Sequence, residues 1–170
     1  MKTRYLLSLL AGVALTTGCA IAAVAAPKST DNVTVTFLDP DKFTDVLENG
    51  SSLTSTYYLE ELRDCLQKAA APLLAEGQKL AVTVTDVDLA GETRFNQPQQ
   101  IRIMKDIYMP RAELKFQLLG ADGKVVAEGN RRLIDRNFML QVRIPGSEEP
   151  LYYDKQMLKQ WVRAEFKTKG

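Results

Sequence analysis

The sequence predicts an α+β fold: a single compact domain in the order β-α-β-(loop)-β-β-α, a mixed sheet with both helices packed on one face. Three observations carry that prediction. Apolar and polar residues alternate over Val33–Phe37, Leu80–Leu89 and Ala112–Leu118, as half-buried strands require. A helical apolar spacing runs through Tyr57–Ala75 and again through Leu151–Phe166. Between two extended segments stands Ala121-Asp122-Gly123, a hairpin turn signal.

Ahead of the domain, residues 1–25 read as a cleaved signal peptide. Lys2 and Arg4 form a basic start, Leu6–Leu15 an apolar run, and Ala23-Val24-Ala25 a small-residue cleavage site. A periplasmic location is therefore expected. The apolar run is too short and too rich in small residues for a retained membrane span. A lipoprotein anchored at Cys19 is the less favoured alternative, because Leu15 lies one position too far upstream and apolar residues continue beyond the cysteine.

Cleavage removes Lys2 and Arg4, so 22 basic residues become 20 against 21 acidic ones, and the net charge moves from +1 to −1. Such a chain has no long-range field to gather nucleic acid or anionic lipid. Roughly 145 residues remain, enough for one domain with a real core. Cys65 is then the lone cysteine, which excludes an intramolecular disulfide. Set beside Leu62 and Leu66, it is expected to be a small buried hydrophobe in a monomeric protein.

In chain order, residues 26–32 form a polar leader and the domain occupies 33–168. Asp39-Pro40-Asp41 ends the first strand, and 41–55 reads as a polar loop containing Asn49-Gly50-Ser51-Ser52. In the first helix Leu59, Leu62, Leu66, Ala69 and Leu73 share a face, and Glu60 and Glu61 are expected in its first turn. Pro72 predicts a kink or break near Ala69–Ala71, with Gly77 as the stop.

In the next strand Leu80, Val82 and Val84 share a face that simple alternation would continue to Asp86 and Asp88. Two unpaired carboxylates cannot follow core residues inward at tolerable cost. Either the strand leaves the core at Asp86, or a bulge turns Val87 and Leu89 inward. Residues 90–99 look irregular, and Gln100–Lys105 reads as a short strand. Ala112–Leu118 and Lys124–Ile134 form the hairpin, with a bulge expected at Gly129. Phe138, Leu140, Val142 and Ile144 alternate as a further extended piece. The last helix starts at Pro150, behind Glu148 and Glu149. It buries Met157, Leu158, Trp161 and Val162 and turns Lys155, Lys159 and Arg163 to water.

Val33-Thr34-Val35-Thr36-Phe37, Leu59-Glu60-Glu61-Leu62, Asp86-Val87-Asp88-Leu89-Ala90-Gly91, Arg102-Ile103-Met104-Lys105-Asp106, Pro110-Arg111 and Tyr153-Asp154-Lys155-Gln156-Met157-Leu158 with Trp161 resemble the bacterial envelope family catalogued as domain of unknown function 3016. The likeness runs through nearly the whole chain after the signal. It implies an exported protein of Gram-negative bacteria with one domain and no assigned catalytic residue. Pro72 departs from the family pattern, which would leave that helix unbroken.

The chain has no histidine, which removes Ser-His-Asp and Cys-His catalysis and the usual zinc sites. No phosphate-cradling glycine motif occurs either. No cofactor is expected, and catalysis is disfavoured. A carboxylate hydrolase or divalent-cation site could still draw on Asp86, Asp88, Asp106 and Asp135, although the full calcium-loop spacing is missing. Arg102, Lys105, Arg111, Arg131, Arg132 and Arg136 are expected to pair with those aspartates rather than to bind nucleic acid. The function expected is a non-enzymatic interaction or accessory protein of the cell envelope. Its surface would comprise Asp86, Asp88, Arg102, Lys105, Asp106, Tyr108 and Arg111, and its partner would be an unidentified envelope protein. The alternative is a small-molecule or glycan binder with a carboxylate hydrolase or divalent-cation site.

Overall fold

A computed structural model describes residues 30–47, 53–93, 102–142 and 149–167. The stretch expected to be a signal peptide, with Cys19, the expected leader up to residue 29, residues 49–52 of the expected polar loop, most of the 90–99 segment, Ile144 and Glu148 lie outside the described residues.

The longest alternating run takes a central place. β1 (Val33–Phe37) lies parallel to β2 (Lys79–Asp88), and β5 (Arg111–Leu119) lies antiparallel on the other side of β2. β6 (Val125–Ile134) pairs antiparallel with β5 and forms the edge, giving the order β1-β2-β5-β6. β3 (Glu92–Thr93) and β4 (Arg102–Ile103) form a separate two-stranded ribbon. The parallel β1–β2 pair needs a crossover, which α1 (Thr56–Ala70) supplies. α2 (Tyr152–Phe166) packs against α1. Leu62 and Leu66 of α1, Leu158 and Trp161 of α2, and Val82, Leu114 and Phe116 of the sheet enter one core. Each such side chain contributes about 1.5–3 kcal/mol by leaving water. The α+β class and the mixed sheet are as expected.

The phase conflict in β2 is resolved by a bulge. Pairing with β5 shifts between Val84 and Asp86, and Val87 and Leu89 turn inward and are buried. Pro72 acts as expected too: α1 stops at Ala70, a 3-10 turn over Ala71–Leu73 accommodates the proline, and Gly77 takes φ 77° before β2. Trp161 is a core anchor, edge-on to Phe116 and Phe166 at 6.0 and 5.7 Å.

Other expectations fail for local reasons. Ser55 accepts from the Tyr58 N–H at 3.3 Å and caps α1, so the helix starts at Thr56 and Glu60 and Glu61 fall beyond its first turn. The hairpin bulge sits at Val126, between the Leu118 and Leu119 pairings, while Gly129 stands in register opposite Phe116. Gly129 lies instead beneath a side chain of its own strand. Arg131 lies over the Phe116 ring at 5.1 Å, and a Cβ at 129 would come within 2.7 Å of the Arg131 guanidinium.

Phe138 and its neighbours form a 3-10 turn rather than a strand. Phe138 is fully buried against Tyr153, whereas Leu140 and Val142 are exposed. Asp135 closes that turn by accepting from the Asn137 N–H and the Gln141 amide. The 41–55 stretch is not simply a polar loop. Phe43 and Val46 are buried, and Asp45 bridges Asp88 in parallel, prolonging the β1 side of the sheet. Lys155 is not in water either: it is buried, and it pairs with Glu61 and Glu149.

Candidate functional site

At the C-terminal end of β2 the chain must leave the sheet, and its backbone needs new partners there. Gly91 makes the turn at φ 84°, a conformation that favours glycine, and a Cβ would lie 2.9 Å from the Ile103 carbonyl oxygen. Its N–H donates to the Tyr108 carbonyl at 2.9 Å. β4 brings Arg102 beneath this turn. Arg102 Nη1 donates to the carbonyls of Leu89, Ala90 and Gly91 at 3.3, 3.2 and 3.0 Å. Arg102 Nη2 lies 2.9 Å from Asp45 Oδ2, in charge contact without hydrogen-bond alignment.

Asp154, in the first turn of α2, closes the other side. Its carboxylate accepts from the Ala90 N–H at 2.9 Å, at the helix end that favours negative charge. Burial pushes its carboxyl up to about 7, with Asp45 adding to the push. The backbone N–H groups and the Arg102 cation pull the other way. Asp88 is also raised, chiefly by burial, while Arg111 at 3.3 Å opposes the shift. Asp86 holds the returning 44–45 segment, accepting from the Thr44 N–H at 2.7 Å and its hydroxyl at 2.9 Å.

The seven residues expected at the surface thus divide. Asp86, Asp88 and Arg111 brace the sheet end, and Arg102 is an interior tie rather than a surface charge, only 11% of its side chain being exposed. Tyr108 is half-buried and fixes Gly91 through its carbonyl. Lys105 and Asp106 are exposed in the turn that β4 leads into, between Met104 and Ile107. Sequence reasoning missed Asp45 and Asp154. Asp154 had a signal: Asp154, Met157, Leu158 and Trp161 lie at i, i+3, i+4 and i+7, on the buried stripe of α2. Asp45 had none, because it lies between Thr44 and Val46 in a stretch with no strand or helix periodicity to place it.

A family model described as Protein of unknown function (DUF3016) matches residues 31–164. The chain belongs to this family. No curated protein and no solved structure matches it. The match runs from before β1 into the last turn of α2, so every member of this charged knot lies within the DUF3016 domain.

Among the described residues of the DUF3016 domain, no group of three or more carboxylate or thiol side chains is arranged to hold a metal ion. Asp45, Asp86, Asp88 and Asp154 face separate protein partners instead. Among the described residues Arg102, Arg111, Arg131 and Arg132 pair with acids, and of these Arg111 takes one of the expected aspartates, Asp88. Arg131 binds Glu165 at 2.7 Å and Arg132 reaches Glu113 at 3.4 Å. Among the described residues, no helix of the domain is long and apolar enough to cross a membrane.

A groove of about 510 Å³ between α1 and α2 includes Cys65, Lys155, Lys159, Glu61 and Glu149 in its lining. The Cys65 thiol donates to the Lys155 carbonyl, and burial pushes it up to about 11 despite the nearby lysines. A thiol so raised is no nucleophile at neutral pH. Iodoacetamide at pH 7.5 is therefore expected to leave Cys65 unmodified in the folded protein and to label it in denaturant. Equal labelling in both states would refute this.

Proposed function

We propose that this DUF3016 domain is an exported, non-enzymatic interaction module of the cell envelope, and that it docks a protein partner through the turn at residues 104–107. The carrying observation is the exposure of Met104 and Ile107, 41% and 60%, on a turn whose base is tied to the sheet. Arg102 holds three carbonyls on one side of the turn, and Gly91 and Tyr108 join on the other. Apolar side chains held in water on a fixed base suit recognition, since little conformational freedom is lost on docking. Lys105 and Asp106 supply both charge signs beside them. Asp86, Asp88, Arg102 and Arg111 serve as the base, and Tyr108 as its half-buried flank. Export is supported by the basic, apolar and small-residue pattern of residues 1–25.

Cross-linking in intact cells tests this reading. The wild-type chain should capture a recurrent partner through residues 104–107, from the periplasmic fraction. Ile107→Ala and Asp106→Arg should each reduce capture by about ten-fold, with unchanged thermal melts. Capture undiminished in both variants, no partner above background, or a cytoplasmic chain that keeps its N-terminus would overturn the proposal. Arg102 variants are unsuited to the test, because they remove the base rather than the tip.

A further inference from the structure

We infer that two copies of this chain pair through the free edge of β6, forming a two-fold antiparallel ribbon centred on Asn130 that joins their sheets into one. The edge has the length for it: β6 is 10 residues long, and among the described residues no strand pairs with its outer side. An unpaired row of backbone donors and acceptors is a template for another strand, and natural edges are commonly blunted by proline or lysine. β6 contains neither. Its bulge lies at one end, at Val126. The opposite edge differs, since β1 has only 5 residues and Asp45 prolongs its side of the sheet.

The helix-facing side of β6 is also incompletely covered. Ala112, Leu114, Phe116 and Leu118 of β5 are buried, but their partners Leu133, Arg131 and Gly129 are only half-covered and Ala127 is exposed. From α2, Glu165 reaches this side through Arg131 at 2.7 Å. A second sheet carrying its own helices would extend the cover past this edge.

The sequence of β6 is complementary to itself in one register. Residues directly opposite in an antiparallel pair share a face. Centred on Asn130, the water-facing side sets Glu128 opposite Arg132 of the second copy, and symmetry repeats that pair. Val126 meets Ile134. On the helix-facing side Ala127 meets Leu133, and Gly129 meets Arg131. Centring the ribbon on Arg131 or Arg132 opposes like charges, as does centring on Glu128. Centring on Gly129 sets Arg132 against Val126 and leaves Glu128 without a cation. Among the described residues of the single chain, Glu128 contacts Gln117 at 3.2 Å and Arg132 contacts Glu113 at 3.4 Å, both exposed pairs that hold them weakly. The sequence predicts a monomer, and Cys65, the lone cysteine expected after cleavage, lies in α1 and takes no part in this pairing. The edge also shares no residue with the 104–107 turn, so either proposal can fail alone.

The test is sedimentation equilibrium of the chain recovered from cells expressing it from residue 1, in reductant, across a concentration series. The wild type should be a dimer. Glu128→Arg and Arg132→Glu should each raise the dissociation constant by about ten-fold, because each opposes like charges twice. The double variant, with the charges exchanged, should recover a near wild-type constant. Circular dichroism melts establish that each variant is folded. A wild-type monomer at every concentration overturns the inference. If β6 amides in that monomer exchange as slowly as those of β5, another strand occupies the edge. A dimer indifferent to both single changes, or one not recovered by the exchange, overturns it equally.

Discussion

Arg102→Ala is expected to lower the unfolding free energy by about 3–5 kcal/mol, the usual penalty for removing one partner from a buried charged network. The substitution strips the donor from the carbonyls of Leu89, Ala90 and Gly91 together, and it takes the cation away from Asp45 and Asp154. The three carbonyls cannot turn to water without opening the end of β2. Arg102→Lys should recover only part of the loss. An ammonium keeps the charge but lacks the planar fork that spans three carbonyls and Asp45 at once. Urea unfolding of the three proteins measures the order. An alanine variant within about 0.5 kcal/mol of wild type, the range of ordinary surface changes, would show that the guanidinium is not structural. It would also remove the fixed base from under the 104–107 turn. A variant that loses both stability and partner capture, beside tip variants that lose capture alone, would separate base from tip.

Much of this arrangement was legible in the residues, and the illegible parts share a cause. The bulge at Val84–Asp86 follows from two carboxylates meeting an apolar face, a conflict written within one strand. Pro72 likewise announces the end of α1 by its own geometry. Asp154 sits on a stripe that a helical wheel exposes, but its polarity argues against reading it as interior. Arg102, Asp45 and Gly129 are different. Their roles depend on neighbours far along the chain: Arg102 under the Leu89–Gly91 carbonyls, Asp45 beside Asp88, and Gly129 beneath an arginine stacked on Phe116. Local periodicity carries no information about such cross-element contacts, so a charge or a glycine there is assigned its commonest local role. Lys155 reads as water-facing for its charge, although it lies at i−3 from Leu158 and i−7 from Val162 on the buried stripe, and Glu61 of α1 meets it across the helix pair.

Asp154→Asn is expected to change how stability depends on pH, with a sign that follows from the direction of the shift. Burial lifts the Asp154 carboxyl from an ordinary 3.8 to about 7. Between those values the folded chain keeps a proton that the unfolded chain has released, so stability falls as pH rises through the window. The steepest slope is about 1.4 kcal/mol per pH unit, and the whole window amounts to ~4 kcal/mol at most. Below about 4 both states are protonated and above about 7 both are ionised, so the dependence levels off at each end. Wild type alone would not isolate this. Asp88, also raised, acts in the same direction, whereas Glu165, lowered by Arg131, contributes stability that is lost as pH falls through its depressed value. The difference between wild type and Asp154→Asn cancels both. Asparagine still offers an oxygen to the Ala90 N–H but cannot ionise. Relative to the variant, wild type should lose stability from pH 4 to 7 and then hold level, leaving the variant the more stable of the two at pH 8. A difference that stays flat from pH 4 to 8 would mean that the carboxylate is charged throughout, and that Arg102 and the helix end outweigh its burial. In that case the knot at the end of β2 is a permanent ion pair. With the expected slope it loosens as pH rises towards neutrality, and the base of the 104–107 turn loosens with it.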